Sequence, residues 1–312
     1  YVAHVIGVGS WLPRLLAFSI IAILAAVNLR GVGNASKVEI VTVYGKLFVL
    51  VGLAAFGIWK WSPEELTAGI SAKPWYSSII GAATIFMAYE GFQLLSYDYE
   101  DLQNPNKTLP RATIWAVISV IIIYILVTLG TTMLVGADTL IEKKEIALSV
   151  AGQKALGTAG LIIVTIAAAF STASAINATL FSTARLMESV AEKKDLPHVF
   201  IKENQENIPV YAVLVIAGIG SLLAVIGSLG SLVDAASIIF LFTFGVVNFI
   251  AFRQKVKYHW VSLIASIGCG LAIVTDITIN FEKIPYSITG LIVISALIFI
   301  TRPYLLKRLS DV

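Results

Sequence analysis

Between Arg111 and Asp138 the chain carries no charged side chain. As a helix, this run (111–136) is long enough to cross a bilayer core of roughly 30 Å, which takes about 20 apolar residues. Lipid offers no hydrogen bonds to a bare backbone, so only helices and closed barrels can span it. The pattern recurs along the chain. Apolar runs bounded by breakers occupy roughly 12–29, 36–59, 77–102, 111–136, 159–185, 208–228, 233–252, 258–276 and 284–302. No period-two alternation competes with them, so a barrel is excluded. The chain reads as an all-α polytopic membrane protein of about nine spans.

Composition agrees. Hydrophobic residues make up 58% and charged residues 13% of the 312 positions. That charged share is about half of what a soluble domain carries, too little to wet the surface of a globule. Disorder is excluded by the same figures. One cysteine, Cys269, rules out an internal disulfide. His4, His198 and His259 lie far apart with no ligand spacing. No metal, cofactor or nucleic-acid partner is expected. Tyr1 is not an initiator methionine and no signal-peptide pattern follows it, so the numbering is expected to begin inside a longer protein.

Lysine and arginine in the loops set orientation. Of the 22 basic residues, 14 fall in the loops on one side of the nine spans, among them Arg30, Lys107, Arg111, Arg185, Lys193 and Arg253. The opposite side carries 7, and the remaining one is Lys46, inside a span. The bias places the richer side and the C-terminus in the cytoplasm, so the first span runs from outside to inside.

Lys46 lies ten residues after Ser36 and fourteen before Lys60, or about 15 and 21 Å along a helix. A lysine stem reaches only about 6 Å, so snorkelling to either surface fails. An ammonium at that depth costs several kcal/mol unless it is solvated, paired or neutral. One reading is a lysine held by carbonyl oxygens for structure alone. The other is a titrating group or a built-in cation, because burial disfavours the charged form of a lysine.

Glu90 is the second residue out of place in lipid, in the run Phe86-Met87-Ala88-Tyr89-Glu90-Gly91-Phe92 at the centre of 77–102. Glycine beside a carboxylate and a tyrosine at this depth predicts locally unwound backbone, tolerated only where it lines a cavity or is buried in protein. The plainer alternative is a packing glycine in a continuous helix. The fifth span carries Ser171, Thr172, Ser174, Asn177, Thr179, Ser182 and Thr183. Such hydroxyls are ordinary glue between membrane helices; the cluster at Ser171, Thr172 and Ser174 is also placed to coordinate an ion or hold an ammonium. Asn104 to Arg111 reads as a loop that ends one helix and starts the next, with Asp98, Glu100 and Asp101 anchoring the end of the broken span.

The stretch Phe86 to Arg111, FMAYEGFQLLSYDYEDLQNPNKTLPR, resembles the sixth-helix signature of the amino acid–polyamine–organocation family of permeases. Asn28-Leu29-Arg30-Gly31-Val32 is similar to the family's entry to its fifth helix. Ser182-Thr183-Ala184-Arg185 through Asp195-Leu196-Pro197 resembles the cytoplasmic end of its eighth. The resemblance covers essentially the whole chain and implies two inverted five-helix repeats. It places the nine spans on family helices four to twelve: 1–61 would hold the last two helices of the first repeat, 77–252 the complete second repeat, and 258–312 two peripheral helices. Three further spans are then expected before Tyr1.

A lysine at the Lys46 position is similar to a subgroup that includes an archaeal broad-specificity transporter and bacterial relatives of cationic amino acid transporters. In sodium-coupled cousins an ion near this place bridges two helices. The resemblance implies that Lys46 replaces that ion and faces Ser171. It also implies that Phe86 and Met87 gate the substrate, while Ala88, Tyr89, Glu90 and Gly91 line the site mainly through backbone. The expected activity is proton-coupled, sodium-independent transport of amino acids with broad specificity across the cell membrane. An amino acid or polyamine exchanger is the alternative. A channel would need a repeated filter element. An enzyme would need a nucleophile–base or metal set within the spans, and none is placed for it.

Overall fold

The computed structural model describes residues 11–31, 35–97, 99, 102–226 and 229–279. The ninth expected span, 284–302, and the acidic trio Asp98, Glu100 and Asp101 lie outside these residues. Among the described residues nine α-helices run in chain order: α1 (Leu12–Leu29), α2 (Ala35–Lys60), α3 (Ser77–Thr84), α4 (Pro105–Val135), α5 (Ala137–Lys143), α6 (Ala147–Glu192), α7 (Val210–Ile226), α8 (Leu229–Arg253) and α9 (His259–Ile279). Among the described residues the only β pairing is one bridge, Glu203 to Pro209.

Six of these helices are long and apolar enough to cross a membrane: α1, α2, α4, α6, α8 and α9. The 17 residues of α7 extend about 26 Å, at the short end of the spanning range. Lipid as the surrounding solvent explains the outer surface of α4. Ile114, Trp115, Ile118, Ile121, Ile122 and Ile125 all stand exposed along it, a continuous apolar face that water would not tolerate.

Three boundaries differ from the sequence reading. The segment 104–111 is not a loop. α4 begins at Pro105, with Asn104 alone in the left-handed region at φ 53. Pro105 sits at the first helical position, where a missing N–H costs nothing, and Pro110 is carried inside the helix. The span read as 159–185 belongs to a longer element, 147–192, that bends at Leu156 and Gly157. The span read as 77–102 is helical in α form only over Ser77–Thr84.

The chain forms two compact units. The first comprises 11–72 and 92–225, the second 73–91 and 226–279. In the first, α2 and α4 approach until backbone meets backbone. A Cβ on Gly57 would overlap the carbonyl of Gly130, and one on Gly130 would press on Ala54. Small residues at a helix crossing are how membrane helices gain van der Waals contact, since lipid gives them no hydrophobic drive to associate. Leu53 of α2, Leu134 and Val135 of α4, and Ala151 and Val164 of α6 form one buried cluster at this end. A second cluster joins Ile21 and Ala25 of α1 to Leu180 and Ala184 of α6 and to Ile208, Ala212, Val213 and Ala217 around α7. In the second unit α8 and α9 pair as an antiparallel hairpin, with the Ser266 hydroxyl donating to the Gly245 carbonyl at 2.9 Å.

Candidate functional site

The broken span is the first element of the site. After α3 ends at Thr84 the chain tightens into a 3-10 turn, Phe86–Tyr89. The Ala88 amide donates to the Ile85 carbonyl at 2.9 Å and the Glu90 amide to the Met87 carbonyl at 3.1 Å. Helical geometry then stops. Glu90 is extended, with φ −66 and ψ 150. Gly91 follows at φ +124, a conformation that L side chains avoid. A second 3-10 turn, Phe92–Ser96, leads on. Among the described residues nothing lies within 4 Å of where a Gly91 Cβ would stand, and its φ is reason enough for a glycine there. Phe86, Met87, Tyr89, Glu90 and Gly91 are half-buried and Ala88 is exposed. Both carboxylate oxygens of Glu90 are buried.

Lys46 lies on α2, in the other unit, half-buried within a continuous helix. No ion pair or hydrogen bond joins its ammonium to another described residue. The expected contact with Ser171 is not among the hydrogen bonds of the described residues; what the two helices share is the buried cluster that holds Leu53 of α2 and Val164 of α6. Of the three proposed hydroxyls, Thr172 is exposed and donates to its own helix, to the Ala168 carbonyl at 3.0 Å. Ser171 and Ser174 are half-buried.

The resemblance to the end of the eighth family helix falls on a polar cluster in the first unit. Arg185 pairs with Glu188 at 3.1 Å and with Glu203 at 3.4 Å, and its guanidinium lies over the Phe181 ring, 5.6 Å from the centroid. These residues, with Ser96, Tyr99 and Lys193, bound a cavity of about 780 Å³. Asn204 ties the loop to α1 by donating to the Leu29 carbonyl at 2.6 Å, while its own side-chain oxygen accepts from the Glu206 and Ile208 amides.

The chain belongs to the amino acid permease family. The family's model matches residues 1–304, and the break at Glu90–Gly91 falls where the family motif was recognised. The permease is 29% identical over 246 residues to the inner membrane transport protein YbaT of Escherichia coli, covering 78% of this chain and 56% of that protein. It is 29% identical over 198 residues to the serine/threonine exchanger SteT of Bacillus subtilis, covering 62% and 44%. It is 26% identical over 242 residues to the mouse Asc-type amino acid transporter 1, covering 75% and 45%. The chain spans about half the length of the curated relatives it matches.

Several contacts and buried groups escaped the sequence reading. Asn28, on α1 and 3% exposed, donates to Asn177 of α6 at 2.8 Å; two asparagines in apolar spans were the available signal. Asp276, 2% exposed, is a lone acid at the edge of the 258–276 run and was absorbed into the span boundary. Phe240 and Phe244 looked like ordinary apolar filling, and only their ring contacts set them apart.

Proposed function

We propose that the intact protein is a secondary transporter of amino acids, driven by protons, independent of sodium and broad in its specificity for small and neutral side chains. The observation that carries this reading is the loss of helical backbone at Glu90–Gly91 inside an apolar span. Interrupted membrane helices present amide N–H groups and carbonyls with partial charges suited to the two ends of a zwitterion. Phe86 and Met87 then lie over the substrate, and Ala88 to Gly91 line the site through their backbone. Small apolar pockets discriminate weakly per methylene, which favours breadth. Family membership and relatives named as amino acid transporters support the same substrate class.

Lys46 supports proton coupling. It is a basic side chain inside a membrane-spanning helix, and the sequence sets it beyond snorkelling reach of either surface. A lysine is a group that can bind and release a proton. Protonation can therefore bias one of two conformations, as alternating access requires. The 14-to-7 distribution of basic residues supports a cytoplasmic location for Lys107, Lys193 and the C-terminus. A second reading, obligatory exchange, draws on the printed name of one relative, a serine/threonine exchanger.

Reconstituted intact protein tests the reading. Labelled alanine should accumulate when the internal pH is held above the external pH, with sodium replaced by choline. Lys46→Ala should abolish this accumulation while the protein stays folded and binds substrate weakly. Lys46→Arg should not rescue it, since guanidinium stays charged. Accumulation by Lys46→Ala with an unchanged response to the gradient would remove Lys46 as the proton site. Uptake only in liposomes preloaded with amino acid, whatever the gradient, would establish the exchanger. Orientation is tested with single cysteines at Lys107 and Lys193 in a Cys269-free background. Both should label from the cytoplasmic side alone, and labelling of either from outside would reverse the topology.

A further inference from the structure

Within the second unit three phenylalanine rings form a ladder. Phe86, the first residue of the 3-10 turn, meets Phe244 of α8 with centroids 6.3 Å apart and ring planes at 74°. Phe244 in turn stacks on Phe240, with centroids 6.2 Å apart and planes at 21°. Phe240 and Phe244 are one helical turn apart, so they share a face of α8. Phe244 is the middle ring, and both contacts run through it. The two geometries, near-perpendicular and near-parallel, are the ones aromatic quadrupoles favour.

We propose that Phe244 is a positioning residue that sets how far Phe86 stands from the substrate, and through it the side-chain size the transporter prefers. This rests on the reading above that Phe86 lies over the substrate. Phe86 sits in a 3-10 turn next to non-helical backbone, where its own segment restrains it less than an α-helix does. Phe244 sits on a 25-residue helix and is backed by Phe240. The stiff partner therefore fixes the ring on the soft one. Held in place, Phe86 keeps contact with a small substrate such as alanine. Released, it swings away, losing that contact and making room for bulkier side chains.

The test is uptake of glycine, alanine, leucine and phenylalanine by the intact, reconstituted protein. Phe244→Ala and Phe244→Leu should each raise the KM for alanine by about fivefold, roughly the worth of one aromatic pair. KM for phenylalanine should stay level or fall, and maximal rates should change less than either. Phe244→Tyr keeps a ring and should keep the wild-type ratio. Phe86→Ala should shift the alanine-to-phenylalanine ratio in the same direction, and Phe86→Ala with Phe244→Ala should add nothing further. If Phe86→Ala shifts the ratio while both Phe244→Ala and Phe244→Leu leave it unchanged, the inference fails and the transporter reading stands. Additive effects in the double variant overturn it as well. An unchanged ratio in Phe86→Ala removes Phe86 from the substrate and overturns the inference together with that placement of Phe86. Should Phe244→Ala fail to fold, Phe244→Leu against Phe244→Tyr still decides.

Discussion

Two glycines with positive φ, Gly157 and Gly91, interrupt apolar segments of this protein; each has no described atom within 4 Å of its Cβ position, and what differs is the chain on either side of them. Gly157 in α6, at φ +62, turns the chain back so that Gly152 and Gly160 meet. A Cβ on Gly160 would overlap the Gly152 carbonyl and stand 3.0 Å from the Leu156 Cβ. A Cβ on Gly152 would stand 2.7 Å from Val164. Alongside, Ser149 and Thr165 pair their hydroxyls at 3.2 Å, both buried. Gly91, at φ +124, lies between two short 3-10 turns, Phe86–Tyr89 and Phe92–Ser96. The first interruption is closed by packing, so its backbone distortion is offset by contact. The second leaves the span unwound, with 3-10 turns on both sides of it in place of a packed α-helical bend. Backbone held in a sparsely populated conformation is the kind found at ligand clamps and switches.

Three substitutions sharpen or break this contrast. The largest effect is expected for Gly160→Val. Its branched side chain has no room against the Gly152 backbone, and overpacking of that severity costs about 3 kcal/mol or more. Thermal unfolding in detergent should show a large drop in Tm or no folded protein, and a near-native Tm would mean the α6 bend is not packed as described. Next is Gly91→Ala. A non-glycine residue forced into sparsely populated backbone costs about 1–3 kcal/mol, and the strain falls on the proposed substrate site. Transport should fall about tenfold or more while Tm shifts less than for Gly160→Val. Transport and stability falling together in both variants would erase the distinction between the two glycines. The smallest effect is expected for Asn28→Ala, which removes a 2.8 Å bond to Asn177 in a packed region. Interhelical polar bonds in membranes are worth about 0.6–2 kcal/mol, so Tm should drop slightly with substrate KM unchanged. A change in KM without a change in Tm would place Asn28 in the working region instead.

Much of this was legible beforehand, for reasons that can be named. α1 falls on 12–29 as read, and α2, α8 and α9 come within a few residues of the expected spans, because a bilayer fixes both the length and the polarity of what crosses it. The break at Gly91 was legible because Tyr89-Glu90-Gly91 puts a carboxylate and an unrestrained backbone where lipid tolerates neither. The start of α4 was misread, because Asn104-Pro105 and Pro110 look like loop chemistry. Proline at the first helical position is compatible with a helix, and the prolines could not announce which role they had. The extension of α6 outward to Ala147 was missed because Gln153 and Lys154 interrupt the apolar run before the bend.

What the sequence determined by itself is the helical, membrane-spanning class, the family motifs, and the isolation of Lys46 and Glu90 among apolar neighbours. Those properties follow from local composition against a fixed solvent, lipid, and need no knowledge of partners. What only the tertiary structure decided is which small residues meet. Gly57 contacts Gly130 and Gly152 contacts Gly160. Asn28 finds Asn177 across 149 positions, and Phe244 stands between Phe86 and Phe240. A glycine or a phenylalanine in a membrane helix carries no mark of its partner in one dimension. Its role is fixed by the rotation and depth of a second helix, and those are set by packing over many residues at once.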